Sequence, residues 1–254
     1  TPVIFNLLST TYIDVALAFY VFLTVGLFLS ALKDGVMKDY WMSGLLAGCC
    51  IAIKYLGVVA VMGLAAVWMY EVIATRKLRE RISGGGLFLV GLVVIAGYWL
   101  VRNWALTGNP FFSYFGSVFG GPLRPPPTGS LMQGFGRSWF DLSSLYFNMG
   151  FFPKIFGSLS TWIGVFYYLM LPLILFAFLF DPRGRRYGIF WIVFSGVTFY
   201  MAQVDRYFIP ALPVMALVAA IGLSWICARV STASFRSLRS LGKYFAIVLL
   251  CVYA

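Results

Sequence analysis

The run from Trp41 to Val72 is apolar, and its only charged side chains are Lys54 and Glu71. As one helix it would extend nearly 50 Å (about 1.5 Å per residue), well beyond the ~30 Å hydrocarbon core of a bilayer. A break at Lys54 to Gly57 gives two shorter helices, because lysine can extend to a membrane surface and glycine permits a turn. We therefore predict a helical hairpin over 41–73.

The composition supports a membrane protein. Hydrophobic residues make up 61% and charged residues 11% of the chain, against roughly 45–50% and 25% in soluble domains. The expected fold is all-α, a polytopic transmembrane helical bundle with about seven or eight membrane segments. Besides the hairpin, apolar runs predict spans at 12–32, 86–104, 161–180, 187–201, 207–228 and from 244 onward.

Three regions follow from these spans. Transmembrane segments occupy 1–101 and 161–254, and a long loop occupies 102–160. The loop contains Arg124 followed by three prolines, a stiff polyproline-like stretch, and its aromatic residues at 131–152 are typical of a membrane interface. Because the sequence begins at Thr1 and ends inside an apolar run, we expect an interior piece of a longer protein.

The basic residues predict the orientation of the chain. With the hairpin, thirteen of the 19 Lys and Arg residues lie on one side, which the positive-inside rule places in the cytoplasm. The long loop is then extracytoplasmic, and the formal charge of +11 is an orientation signal rather than evidence for nucleic acid. We expect an integral membrane protein of a bacterial inner membrane or a plasma membrane. The loops on the basic side are 33–40, 74–83, 181–187 and 229–243.

The absence of histidine and the spacing of the cysteines exclude several kinds of catalytic and metal-binding chemistry. The sequence has no histidine, so histidine-ligated metals and histidine-based catalysis are excluded within these residues. The four cysteines have no CxxC spacing and lie in apolar runs, where packing is their expected role. These cysteines are Cys49, Cys50, Cys227 and Cys251.

Ionisable side chains at the ends of spans on the loop side are candidates for function, because a charge within a span is costly. For Asp14, in the first turn of its helix, helix capping and contact with a substrate or metal both stay open. Lys54 and Arg102 are either functional or anchors at the lipid headgroups. Asp205-Arg206-Tyr207 joins two spans and places Arg206 at the same surface. Three cations and one carboxylate on one face suit a phosphate group at the membrane surface.

Four segments together resemble one family. QVDRYFIPALPVMALVAAIGL at 203–223 resembles the late RY..P..P span of polytopic C-type glycosyltransferases, in the branch of protein mannosyltransferases and aminoarabinose transferases. VRNWALTGNPFF at 101–112 resembles the segment that opens the family's large loop, although Ser113 replaces a frequent proline. STTYIDVALAFYVFLTVGLFLSAL at 9–32 and GLLAGCCIAIKYLGVV at 44–59 are similar to two earlier segments, in the family's order.

The resemblance implies an enzyme that moves a sugar from a polyprenyl-phosphate carrier to an acceptor on the extracytoplasmic side. It implies that Asp14 is a catalytic carboxylate, the second acidic residue that faces the cavity. Lys54, Arg206 and Tyr207 would contact the carrier phosphate, and Arg102 is a weaker candidate. The family's principal carboxylate lies in a loop that would precede Thr1. A divalent metal would belong to the full-length enzyme, and no metal ligand is assigned in this chain.

Two other interpretations stay open. The first is a non-catalytic integral membrane subunit that keeps the glycosyltransferase-like fold and binds other membrane proteins in a larger assembly. The second is a transporter or lipid flippase, for which paired inverted halves would be expected, and the sequence shows no such halves. The donor sugar and the acceptor are not specified by any motif.

Overall fold

The computed structural model describes residues 13–75, 78–112, 116–119, 134–156 and 165–232, and the regular elements in these ranges are helices. The first part contains α1 (Asp14–Asp34), α2 (Met37–Ile53), α3 (Gly57–Thr75) and α4 (Leu78–Thr107). The loop region contains α5 (Gly116–Phe119), α6 (Trp139–Ser143), α7 (Leu145–Phe151) and a 3₁₀ helix, Pro153–Phe156. The last part contains α8 (Val165–Leu169), α9 (Leu171–Phe180), α10 (Pro182–Met201), α11 (Asp205–Phe208), a 3₁₀ turn (Ile209–Ala211) and α12 (Leu212–Thr232).

Within the described ranges, 4 helices are long and apolar enough to cross a membrane. Large apolar side chains such as Ile73, Val93 and Trp104 are more than half exposed on them, and apolar surfaces of this kind are typical of contact with lipid or with other proteins. The expected all-α class, with helices that could span a membrane, is confirmed. The 4 helices are Asp14–Asp34, Gly57–Thr75, Leu78–Thr107 and Asp205–Arg229, and Tyr167–Phe180 is apolar but shorter.

The run predicted to be a hairpin consists of α2 and α3, separated by the turn at 54–56. Lys54 has an extended backbone (φ −160°) and ends α2. Gly57 starts α3 against the backbone of α2, where a Cβ atom would overlap Cys50. The turn therefore requires glycine for a steric reason, as well as for its backbone freedom.

Two predicted spans begin earlier in the structure. The span expected at 86–104 lies within the longer helix α4, which starts at Leu78 inside the basic segment. The span expected at 187–201 lies within α10, because the Asp181 side chain accepts hydrogen bonds from two amides of the first turn. Pro182 fits that first turn, where its missing N–H is not needed.

Other predicted spans are divided or displaced. The described part of 161–180 consists of α8 and α9, which are separated at Met170. In the span expected at 207–228, α12 starts at Leu212, after the 3₁₀ turn that contains Pro210. The span from 244 onward, the proline stretch after Arg124 and Cys251 lie outside the described residues.

Helices α2 and α4 pack closely through glycine. A Cβ at Gly44 would overlap the carbonyl oxygen of Phe88, and one at Gly48 would lie 2.8 Å from that of Leu92. Gly91 on α4 makes the reciprocal approach to α2. Between membrane helices, small residues permit the close backbone contact that drives association.

Gly44→Ala should lower the free energy of unfolding by about 1–3 kcal/mol, because the new methyl group forces α2 away from α4. Gly26→Ala in α1 is the matched control, since a Cβ there meets no atom within 4 Å and alanine favours the helix. Equilibrium unfolding in detergent micelles measures the free energy of unfolding of both variants. Equal or greater stability of Gly44→Ala would contradict the close packing.

Glu71 is the centre of a buried ionic cluster at the basic side of the bundle. Its Oε1 lies 2.7 Å from Arg186 Nε, and its Oε2 lies 3.6 Å from an Arg81 guanidinium nitrogen. Arg81 also donates hydrogen bonds to the Leu32 carbonyl and the Tyr40 hydroxyl. The cluster therefore connects α1, α2, α3, α4 and α10 at one end.

Glu71→Gln should lower the free energy of unfolding by about 3–5 kcal/mol, because it leaves two arginines without their shared carboxylate. Asp34→Asn provides the control, since Asp34 and Lys33 form an exposed pair at 3.7 Å that is worth at most about 1 kcal/mol. Equilibrium unfolding of the detergent-solubilised variants measures the two losses in free energy of unfolding. A loss no larger than that of Asp34→Asn would refute the stabilising role of the cluster.

Candidate functional site

A second polar cluster lies at the other end of α1 and α2. Asp14 opens α1, and its side chain is only 1% exposed. Its Oδ1 is 2.5 Å from Lys54 Nζ, and the lysine side chain is 23% exposed. The same Nζ lies over the Tyr207 ring, 4.3 Å from the ring centroid. Three residues that the sequence singles out are thus in direct contact, although they belong to three separate segments.

Local structure accounts for each position in this cluster. Asp14 lies in the first turn of α1, where the helix dipole favours an anion. Lys54 ends α2, and its backbone amide donates to the Cys50 carbonyl. The 3₁₀ turn Ile209–Ala211 packs against α1, and Tyr207 precedes this turn. The start of α1, the end of α2 and the segment before α12 therefore meet at one place.

Arg206 lies beside the contact between Lys54 and Tyr207. Its guanidinium carbon is 5.6 Å from the centroid of the Tyr207 ring, and the side chain is half-buried. Asp205 is buried, and its Oδ1 accepts a hydrogen bond of 2.6 Å from the Arg206 amide. Asp205 thereby orders the backbone of the turn, and two cations lie against one aromatic ring.

Arg102 has a different environment. Its side chain is exposed, and its guanidinium carbon lies 5.3 Å from the centroid of the Trp99 ring on the same helix. No contact within the described part of the chain connects Arg102 to Asp14, Lys54 or Tyr207. Arg102 therefore lies apart from the two candidate cations that meet Tyr207.

Tyr55 and Asn103 extend the site, and sequence reasoning assigned them no role. The Asn103 amide donates to the Tyr55 hydroxyl at 2.8 Å, and this hydroxyl donates to the Phe112 carbonyl at 2.7 Å. Both residues lie within segments that carry the family resemblance, directly after Lys54 and Arg102. The sequence signal that could have identified them is their position directly after the two candidate cations. These hydrogen bonds hold the hairpin apex against the end of α4.

The TGNP sequence after α4 has a structural explanation. Gly108 adopts φ +71°, a left-handed conformation, and its amide donates to the Trp104 carbonyl. The Asn109 side-chain oxygen accepts a hydrogen bond of 2.9 Å from the backbone amide of Phe111. The backbone amide of Asn109 donates to the Thr107 hydroxyl. The threonine, glycine and asparagine together reverse the chain at the end of α4.

Residues 134–156 of the long loop are attached to this region by polar contacts. Gln203 donates a hydrogen bond to the Gly136 carbonyl. Tyr146 of α7 shares a hydrogen bond of 2.7 Å with Ser195 and accepts one of 2.9 Å from Trp191. Burial raises the pKa of Tyr146 to about 12, so its hydroxyl stays protonated at neutral pH. The loop is thus fixed to α10 and to the segment before Arg206.

Asp141 lies in this loop and serves as a helix cap. It accepts hydrogen bonds from the side chain and the amide of Ser138, in a reciprocal capping box at the start of α6. These bonds hold the pKa of Asp141 below its usual range. Its Oδ2 is therefore used in local structure, in a helix capping box rather than in an ion pair like that of Asp14.

The chemical capacity of the site lies in the buried Asp14 carboxylate and its nearby cations. Asp14 Oδ2 is buried and accepts no hydrogen bond from the described residues. A buried polar atom without a hydrogen-bond partner destabilises the protein by about 1–3 kcal/mol. A hydroxyl group that donated a hydrogen bond to Oδ2 would remove this cost, so its binding there is favoured. Within the described ranges, no group of three or more Cys, Asp or Glu side chains is arranged to hold a metal ion.

Comparisons of this chain with protein-family models, curated proteins and solved structures give no match. The resemblance over 9–32, 44–59, 101–112 and 203–223 thus remains an interpretation of the sequence. The contacts that bear on function are those of Asp14, Lys54, Arg206 and Tyr207.

Lys54→Met should lower the free energy of unfolding by about 3–5 kcal/mol, because it leaves the Asp14 carboxylate buried without its cation. Adding Asp14→Asn should restore part of this loss, since the second change removes the buried charge. Unfolding of both single variants and the double variant in detergent gives the coupling energy, expected at about 0.5–3 kcal/mol. If the loss in the double variant equals the sum of the losses in the two single variants, Asp14 and Lys54 do not interact directly.

Proposed function

We propose that this protein transfers a sugar from a polyprenyl-phosphate carrier to an acceptor on the extracytoplasmic side of a bacterial inner membrane or a plasma membrane. The observation that carries the proposal is the meeting of Asp14, Lys54 and Tyr207, with Arg206 alongside, at the end of a membrane helix. A phosphate on a lipid lies at this depth. The family resemblance supports the same function from the sequence.

The membrane arrangement follows from this proposal. The long apolar helices, together with α2, α9 and α10, would complete a polytopic bundle of about seven or eight segments. The basic segments, including the one around Arg81, face the cytoplasm in this arrangement. The Asp14 end of α1 then faces the opposite side, together with the long loop.

The cations supply the recognition of phosphate. Lys54 provides a compact charge, and Arg206 can bind two phosphate oxygens at once. Both lie against the Tyr207 ring, and the tyrosine hydroxyl is a further potential donor. Phosphate that binds Lys54 would compete with Asp14 for the ammonium group and so release the carboxylate.

The transfer step assigns a role to each group. The bond between the sugar anomeric carbon and the carrier phosphate oxygen breaks, and a bond from that carbon to the acceptor oxygen forms. Lys54 and Arg206 stabilise the negative charge that develops on the departing phosphate. Asp14 Oδ2 accepts the proton of the acceptor hydroxyl. A carboxylate upstream of Thr1, which the family resemblance implies, would act together with Asp14.

A non-catalytic membrane subunit is the second candidate function. The observation that favours it is the closed ion pair of Asp14 and Lys54, in which the two charges neutralise each other. In that case the pair would only connect α1 to α2. The two candidates differ in whether the protein releases carrier phosphate.

Native membranes that contain the protein should release polyprenyl phosphate from a sugar-loaded carrier, and mass spectrometry measures the product. Asp14→Asn should lower this release by about 10²–10⁴-fold, the usual contribution of general base catalysis, while carrier binding persists. Arg206→Ala should weaken both binding and release, because it removes a phosphate contact.

Arg102→Gln is the matched control, since the described contact of Arg102 is with Trp99. Because no motif specifies the donor sugar, the assay uses a panel of carriers with different sugars. The native membranes supply the acceptor. Unchanged release by folded Asp14→Asn and Arg206→Ala variants would refute the assigned roles. Carrier binding without release from any member of the panel would favour the non-catalytic subunit.

A further inference from the structure

An apolar cavity of about 390 Å³ lies between α1, α3 and α4. This volume falls within the range of roughly 300–1,000 Å³ that is common for small-molecule sites. The cavity opens sideways, because Ile82 and Leu89 in its wall are more than half exposed. It therefore opens onto the surface that lipid would cover. Its lining includes Phe28, Leu64, Trp68, Ile82, Gly86 and Phe88.

The cavity exists because α4 packs closely on α2 and makes much sparser contact with α3. Two successive glycines, Gly85 and Gly86, leave space in its wall, and a Cβ at Gly86 would meet no atom within 4 Å. Trp68 is held in the opposite wall by a 3.0 Å hydrogen bond from its indole nitrogen to the Arg81 carbonyl. The space is thus a built feature of the two helices.

The depth of the cavity suits an extended alkyl chain. Trp68 and Val61 line it on α3, and at 1.5 Å per residue they lie about 10 Å and 21 Å from the end of that helix at Thr75. On α4 the lining begins at Ile82, one turn after the helix starts at Leu78. A chain could therefore enter from the end of α3 and α4 that carries the basic segment.

The charge at this end favours an anion. Segment 74–83 contains four basic residues and one acidic residue, Glu80. The Arg79 side chain is exposed in the first turn of α4, whereas Arg81 is buried in the cluster with Glu71. The exposed charge of Arg79 lies less than one turn along the helix from the wall residue Ile82. Anionic lipid headgroups are attracted to basic segments of this kind.

We propose that this cavity binds one acyl chain of an anionic phospholipid, whose phosphate contacts Arg79 at the start of α4. The site is independent of the Asp14 cluster and of sugar transfer. The phosphate contact at Arg79 lies on the basic side of the bundle, so the lipid comes from the cytoplasmic leaflet in the proposed orientation. The lipid would fill the gap between α3 and α4.

Native mass spectrometry of the full chain tests this site with palmitoyl-oleoyl-phosphatidylglycerol as the probe and the phosphatidylcholine of the same acyl composition as the comparison. One phosphatidylglycerol should stay bound under conditions that remove phosphatidylcholine. Gly86→Leu, which places a side chain in the cavity, should weaken retention by about tenfold, since the apolar contacts of the chain are lost. Gly97→Leu on the same helix should leave retention unchanged, and Arg79→Gln should remove the preference for phosphatidylglycerol.

A second measurement locates the acyl chain. Phosphatidylglycerol brominated on its acyl chain should quench the fluorescence of Trp68, measured as the difference between the native protein and Trp68→Phe. Equal retention by folded Gly86→Leu and Gly97→Leu variants would overturn the proposal, as would an absence of Trp68 quenching. Displacement of phosphatidylglycerol from this cavity by polyprenyl phosphate would assign the site to a different lipid and would overturn it as well.

Discussion

The cost of placing charge in an apolar environment determines how this bundle is assembled. The buried ionisable groups of the described helices lie near helix ends, and each has a partner there. Asp14 pairs with Lys54 at one end of α1, and Glu71 pairs with two arginines near the other end. Because an unpaired charge at either place would cost several kcal/mol, these contacts hold α1 in register with its neighbours from both ends.

The two carboxylate clusters differ in a way that separates structure from chemistry. Both oxygens of Glu71 accept hydrogen bonds from Arg186, and Oε2 also lies 3.6 Å from an Arg81 guanidinium nitrogen, so both oxygens have structural contacts. Asp14 uses one oxygen for Lys54, and its other oxygen accepts no hydrogen bond from the described residues. Exposure does not distinguish the two clusters, because the Lys54 side chain is 23% exposed and the Arg186 side chain is 22% exposed. The same need to pair charge thus engages both oxygens of Glu71 at one end and leaves Asp14 Oδ2 without a hydrogen bond from the described residues at the other.

The sequence predicts where one long apolar run must break but not which helices become neighbours. The break at Lys54 follows from the length of the apolar run, and the placement of Asp14 and Arg206 on one face follows from counting spans. The contacts of Lys54 with Asp14 and with Tyr207 depend on packing of the 3₁₀ turn Ile209–Ala211 against α1, which joins distant parts of the chain and leaves no periodic signal. For the same reason, sequence reasoning does not separate Arg102, which stacks on Trp99, from the cations that meet Tyr207.

The Glu71 cluster shows the second limit of sequence reasoning. Arg81 and Arg186 were assigned to cytoplasmic loops because charged residues usually end a membrane span. In the structure α4 and α10 continue through these residues, since the pairing with Glu71 offsets the cost of burying them and Asp181 caps α10. Hydropathy measures each residue alone and does not register a charge that is neutralised by a partner on another helix.

The most direct test of the account is a solid-state NMR measurement of the distance between the Lys54 side-chain nitrogen and the phosphorus of bound polyprenyl phosphate. The lysine nitrogens would carry ¹⁵N, and the Lys54 signal would be assigned by its loss in Lys54→Gln. Dephasing of this signal by ³¹P, together with loss of that dephasing in Arg206→Ala, is the predicted result. Bound polyprenyl phosphate that leaves the Lys54 signal unaffected would contradict the phosphate site and, with it, the proposed function.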